Sequence, residues 1–147
     1  MNIVRPQLVG ARVADLCAGT GALGLEALSR GAAHCDFVET SAPVRRVLEE
    51  NVATLDAGDR ATVHRGDVLR VVDEAATPWD VAFAAPPYHG GIALALAERW
   101  LRTPFATIFG VEHEAALTLP SHADGRAPDR RTYGITALTF YRQPEEN

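Results

Sequence analysis

The sequence predicts an open α/β sandwich, with a mostly parallel sheet and an antiparallel strand at its C-terminal end. Three observations carry that expectation. Short apolar, β-branched runs alternate with segments of helical period. A glycine turn, Gly19-Thr20-Gly21, stands between the first such run and the first helical segment. Between the last two predicted strands there is only Gly134, which leaves no room for a crossover helix, so they either pair antiparallel or flank a tight turn.

Each element follows from local chemistry. Arg12 to Ala18 reads as a buried first strand, and Ala22 to Ser29 as a helix closed by Gly31. Cys35 to Glu39 is the second strand. Ser41 can cap the next helix, with Pro43 in its first turn. That helix places Val44, Val47, Leu48, Val52 and Leu55 on one face and ends at Ala57-Gly58-Asp59. Ala61 to His64 is a short third strand, and Val68 to Ala76 a short helix. Trp79 to Ala85 is a fourth strand that runs into two prolines. Ile92 to Leu101 is a helix and Phe105 to Glu112 a fifth strand. Leu119 to Pro128, rich in Pro, Gly, Asp and His, is loop. Arg130 to Tyr133 and Ile135 to Arg142 are the final strands, and the polar tail after Gln143 should fray.

Composition narrows the function. The 147 residues suffice for one domain, and 47 % hydrophobic residues for a full core. A net charge of −5 sets the chain apart from strongly basic nucleic-acid binders, so RNA contact would need a local patch, a further segment or a partner. The sequence has no apolar run long enough to span a membrane, and Met1-Asn2-Ile3-Val4-Arg5-Pro6 lacks the apolar stretch of a signal peptide. Cys17 and Cys35, without C-x-x-C spacing, read as core thiols of a reducing, cytoplasmic compartment.

Four motifs carry chemistry. Asp15-Leu16-Cys17-Ala18-Gly19-Thr20-Gly21 brings backbone close to a ligand at the end of strand one. Its glycines satisfy G-x-G-x-x-G, which also admits a nicotinamide dinucleotide. The carboxylate of Asp15 suits an ammonium group and would repel a pyrophosphate, which favours the amino-acid part of S-adenosylmethionine. Glu39, twenty residues after Gly19, can accept from ribose hydroxyls in either cofactor class. Asp67 in Gly66-Asp67-Val68 can accept from an adenine amino group or cap the following helix, and Val68 can pack on the ring. Ala85-Pro86-Pro87-Tyr88 forms a stiff loop whose carbonyls remain free as acceptors, with Tyr88 offering a flat face to a flipped-out base. His89 could stand in as an acceptor but reads as an ordinary loop residue. Arg126, Arg130 and Arg131 are the densest basic cluster, a phosphate contact or a solvated face.

Together these motifs resemble the class I, Rossmann-like methyltransferases, and closely the family that methylates guanine N2 in bacterial 16S ribosomal RNA. The resemblance rests on residues 15–32, on Phe37-Val38-Glu39, on Pro86-Pro87-Tyr88 and on the ending Tyr133-Gly134-Ile135-Thr136-Ala137-Leu138-Thr139-Phe140-Tyr141-Arg142. It implies a three-layer Rossmann-like methyltransferase fold over residues 1–147. It also implies S-adenosylmethionine as cofactor and ribosomal RNA or the small-subunit particle as partner, with no metal and no membrane. Asp15, Ala18, Gly19, Thr20 and Gly21 would hold the methionine part, Glu39 the ribose, and Asp67 with Val68 the adenine. Ala85, Pro86, Pro87 and Tyr88 would place the base. Two departures stand out. The family has Asp or Asn where Ala85 stands, and losing one charge-assisted bond predicts about a ten- to hundredfold slower transfer. Family members also carry some tens of residues before strand one, where this sequence has Met1 to Ala11. The rival readings are a catalytically impaired or inactive cofactor-binding pseudoenzyme, a nicotinamide-dependent oxidoreductase, and methylation of another planar amine such as adenine N6.

Overall fold

Residues 7–144 are described by the structure, a computed structural model; the start Met1–Pro6 and the tail beyond Pro144 lie outside the described residues. Seven strands make one sheet in the order β3-β2-β1-β4-β5-β7-β6. They are β1 (Arg12–Asp15), β2 (His34–Glu39), β3 (Ala61–Arg65), β4 (Trp79–Ala84), β5 (Ala106–Glu114), β6 (Asp129–Tyr133) and β7 (Thr136–Arg142). The first five are mutually parallel. β7 runs antiparallel to β5, and β6 antiparallel to β7.

The parallel strands are apolar on both faces because helices cover both. On one side α1 (Ala22–Ser29) and α2 (Ala42–Thr54) bury Ala27, Leu28, Leu48 and Val52 against Val13, Phe37, Val81 and Phe83. On the other, α3 (Val68–Glu74) and α4 (Ile92–Arg102) bury Val71, Val72, Leu96 and Trp100 against Ala14, Val38, Ala82, Phe109 and Tyr141. Helices and sheet thus stack as three layers. Large side chains such as Trp100 and Tyr141 each contribute about 1.5–3 kcal/mol of burial.

Several boundaries differ from the sequence expectation. The ladder of β1 ends at Asp15, three residues early. Leu16 N still donates to Phe83 O at 2.8 Å and Ala18 N to Val38 O at 2.9 Å, so the chain turns while bound between its neighbours. On the predicted apolar face of α2 only Leu48 and Val52 are buried; Val47 is 41 % and Leu55 62 % exposed. Leu55 lies beyond the last helical turn, where the face no longer meets the sheet. β5 runs on to Glu114 because β7 pairs with it as far as Glu114↔Thr136. The segment predicted as loop is irregular, but it is tied down. Tyr141 Oη donates to Pro120 O at 2.7 Å, and the His122 ring packs edge-on against Trp100.

Candidate active site

Strand order reverses between β1 and β4, whose crossovers leave on opposite faces. Beyond their carboxyl ends the chain diverges, and an open sheet places its ligand crevice there. A cleft of about 630 Å³ occupies this point. Its walls come from the loop after β1 (Leu16, Cys17, Gly19), the end of β2 (Val38, Glu39, Thr40), α2 (Val44) and the start of α3 (Asp67, Val68, Leu69). The loop after β4 (Ala85 to Tyr88), α4 (Ile92) and the end of β5 (Glu112) complete it. Four separate sequence motifs therefore meet in one cavity.

The glycine turn is held from both sides. Glu39 Oε1 accepts from Gly19 N at 2.9 Å, and its Oε2 from Ser41 N at 2.8 Å. One carboxylate thus joins the turn after β1 to the start of α2, and still has lone pairs for a ligand. Gly21 has φ +90°, and a Cβ there would strike Leu48 of α2. At Gly24 a Cβ would run into Phe37 and lie 2.8 Å from Cys35 Sγ. The second glycine therefore lets the turn approach α2, and the third lets α1 pack closely on β2.

Asp15 stands behind the turn, outside the walls of the cleft. It is 1 % exposed, and its Oδ2 accepts from Gly24 N at 3.0 Å, satisfying a donor in the first turn of α1. Burial lifts its carboxyl to about 6, against the pull of the Gly24 N–H; the nearby Glu39 charge adds to the rise. Ala18, Thr20 and Gly21 also shape the turn without lining the cleft, and Thr20 O accepts from Asn51 Nδ2 at 2.9 Å.

Asp67 does both things that the sequence allowed. Its Oδ1 caps α3, accepting from Leu69 N at 2.8 Å and Arg70 N at 3.4 Å, while the residue borders the cleft beside the buried Val68. Across the cavity the Ala85–Tyr88 loop begins one residue past the last residue of β4. Tyr88 is 40 % exposed, and its hydroxyl shares a hydrogen bond of 2.6 Å with Thr136 Oγ1 at the start of β7.

Eight wall residues escaped the sequence reading as site residues: Leu16, Cys17, Val38, Thr40, Val44, Leu69, Ile92 and Glu112. Cys17, read as a core thiol, lines the cleft; burial first, then the charges of Asp15 and Glu39, push it up to about 12, so it is no nucleophile near neutral pH. Glu112 lies near the end of β5 with no motif around it to mark it. Glu39, Asp67 and Glu112 are the ionisable carboxylates of the wall, and no Arg, Lys or His lines it. Such a cavity favours a neutral or cationic ligand.

His89 is exposed and outside the wall. The basic cluster lies elsewhere and is bound locally. Arg130 donates to Leu117 O at 2.9 Å and Ala115 O at 2.6 Å, Arg131 lies 3.8 Å from Asp129, and Arg126 bonds the His122 ring. Among the described residues there is no cluster of side chains that could hold a metal ion, and no helix long and apolar enough to cross a membrane.

Comparison with known proteins agrees with this architecture. YlbH of Bacillus subtilis (strain 168) is 32 % identical over 149 aligned residues, covering 97 % of this chain and 81 % of that protein. The ribosomal RNA small subunit methyltransferase D of Haemophilus influenzae is 30 % identical over 148 residues, covering 95 % of this chain and 76 % of its own. Among solved structures, yhhF from Escherichia coli superposes with a TM-score of 0.83 at 30 % identity, covering 99 % of this chain and 82 % of that one. An RNA methyltransferase from Salinibacter ruber, solved with S-adenosyl-L-homocysteine, shares the fold at a TM-score of 0.68 and 16 % identity, covering 99 % and 93 %. The family model described as Conserved hypothetical protein 95 matches residues 1–142. With a match of that extent, and with the glycine turn, Glu39 and the Pro-Pro-Tyr loop meeting at the switch point of a methyltransferase-type sheet, the chain belongs to the Conserved hypothetical protein 95 family and is a homologue of the ribosomal RNA small subunit methyltransferases.

Proposed function

We propose that the cleft binds S-adenosylmethionine and serves methyl transfer to an exocyclic amine, guanine N2, of small-subunit ribosomal RNA. One observation carries the reading: the motifs expected to hold ribose and adenine, Glu39 and Asp67-Val68, wall the same cavity as the Pro-Pro-Tyr loop expected to hold the base. The volume lies within the range of small-molecule sites, about 300–1,000 Å³. When bound, S-adenosylmethionine supplies an electrophilic methyl group on a cationic sulfonium, and an acid-lined wall without bases suits that charge. Glu39 keeps lone pairs for ribose hydroxyls beside the two N–H groups it already accepts from. Asp67 keeps Oδ2 for an adenine amine, and Val38, Val44, Val68 and Leu69 offer apolar surface to the ring. Asp15, Ala18, Thr20 and Gly21 act through the shape of the turn. Pro86 and Tyr88 present the base, and the chain's contribution is chiefly alignment of nitrogen with the methyl carbon. The names of the methyltransferase relatives support the ribosomal substrate.

A second reading has one observation in its favour. Ala85 offers no side-chain acceptor, so the protein could bind the cofactor without turnover. Calorimetric titration separates the cofactor classes, with micromolar binding of S-adenosylmethionine and none of NAD as the expected result. Binding of NAD instead would overturn the proposal. Methyl transfer to 16S ribosomal RNA or small-subunit particles, compared with an Ala85→Asp variant, separates the two readings of turnover. Transfer by the parent within about tenfold of that variant sinks the pseudoenzyme.

A further inference from the structure

The position of Ala85 raises a question that the neighbouring strand answers. The last aligned pair of β4 and β5 is Ala84↔Val111, so the next residues along these parallel strands are Ala85 and Glu112. Side chains alternate along strands, so the two leave the sheet on the same face. Parallel neighbours stand about 4.8 Å apart, within reach of a glutamate side chain. Glu112 walls the cleft together with the Ala85–Tyr88 loop, and also borders the small hollow on the loop's other side with Pro86, Pro87 and Tyr88. The other two carboxylates of the cavity and the Tyr88 hydroxyl already hold hydrogen bonds within the protein. Glu39 holds Gly19 and Ser41, Asp67 caps α3, and the Tyr88 hydroxyl is paired with Thr136. Glu112 is exposed to the cleft, and no donor among the described residues engages its carboxylate.

We infer that Glu112 is a catalytic residue: its carboxylate accepts the hydrogen bond from the target amine that an acidic or amide side chain at position 85 would otherwise accept. The inference rests on the methyltransferase reading above. In the step, the amine lone pair forms the N–C bond while the C–S bond breaks and its electron pair goes to sulfur. One N–H proton leaves the methylated nitrogen for the Glu112 carboxylate and passes from there to water, so no further reactant is needed. A carboxylate fixed beside nitrogen is favoured most as positive charge develops there, which lowers the barrier more than it tightens the ground state.

The test combines Glu112→Leu, which keeps the bulk and removes both acceptor oxygens, with Ala85→Asp, which restores a carboxylate on the adjacent strand. The Leu variant should bind S-adenosylmethionine within about twofold of the parent while kcat for transfer to small-subunit RNA falls about ten- to a hundredfold. The double variant should recover most of that loss. A readout without turnover is anisotropy of an RNA fragment, in the presence of S-adenosylhomocysteine, with the accepting guanosine replaced by inosine, which lacks the amine. The parent should disfavour the inosine RNA and Glu112→Leu should not. Transfer by Glu112→Leu at the parent's rate overturns the assignment, as does an equal loss of cofactor affinity. An inactive parent with an active Ala85→Asp variant also overturns it, while leaving the methyltransferase reading intact. Inactivity of both, in protein that binds the cofactor, removes the methyl-transfer reading itself.

Discussion

Asp15 shows how one side chain can belong to a motif and yet stand behind it, buried beneath the turn. From sequence, a carboxylate near the glycine turn invites pairing with a ligand ammonium; in the structure it is buried and holds the first turn of α1 through Gly24. Because burial raises its carboxyl from 3.8 to about 6, the folded state binds a proton there more tightly than the unfolded chain does. Its contribution to stability is therefore greatest at low pH, falls as pH rises from near 4 to near 6, and is flat above. Asp15→Asn can keep the bond to Gly24 and remove the titration. The stability difference between parent and variant, measured by urea unfolding at pH 4 and pH 7, should change by about 2 kcal/mol in the variant's favour. A difference that stays constant across that interval would show that Asp15 titrates normally. Other residues were easier to read. Glu39 ends β2 and Asp67 follows β3, so each stands at a strand end of the kind that faces the ligand crevice of an open sheet. Glu112 was not legible as a site residue, because only strand pairing brings it beside Ala85.

Among the elements, the β6–β7 hairpin does more than finish the sheet. Its turn starts β7 at Thr136, whose hydroxyl meets Tyr88 across 48 residues of chain. The hairpin thereby fixes the Ala85–Tyr88 loop, so under the proposed function the C-terminal strands take part in substrate placement. Thr136→Val removes the partner at constant shape. It should weaken binding of the RNA severalfold, consistent with about 0.5–1.5 kcal/mol for one hydrogen bond, and leave calorimetric affinity for S-adenosylmethionine unchanged, since the ribose and adenine walls lie on β2 and α3. A matching loss of cofactor affinity would mean that the Tyr88 loop shapes the whole cleft. The antiparallel pairing of these strands was legible because Gly134 alone stands between the two segments. The extension of β5 beyond Glu112 to Glu114 was not, because His113 and Glu114 are polar and take strand form through β7. His113 is buried there with Nε2 2.7 Å from Thr139 Oγ1, a match between strands that no local pattern announces.

At the scale of the molecule, parallel alternation and the glycine turn made the layered α/β architecture readable, since a strand buried on both faces leaves a continuous apolar run in the chain. The cleft was readable in outline for the same reason: an open sheet whose strand order reverses opens where β1 and β4 diverge. Its far wall was not, since it comes from β5 and from helix faces whose orientation depends on packing, as Val44 on α2 shows. The sheet order carries one more consequence. β6 is an outermost strand, and all five of its residues are exposed. A strand left open along one side is a template on which another chain can add, and charges along it discourage that addition. Asp129, Arg130 and Arg131 provide them here, so this open edge is guarded against fibril-like self-association. An Asp129→Thr/Arg131→Thr variant should keep the fold yet form growing oligomers by sedimentation at concentrations where the parent does not; identical size distributions would leave the edge protected by twist alone.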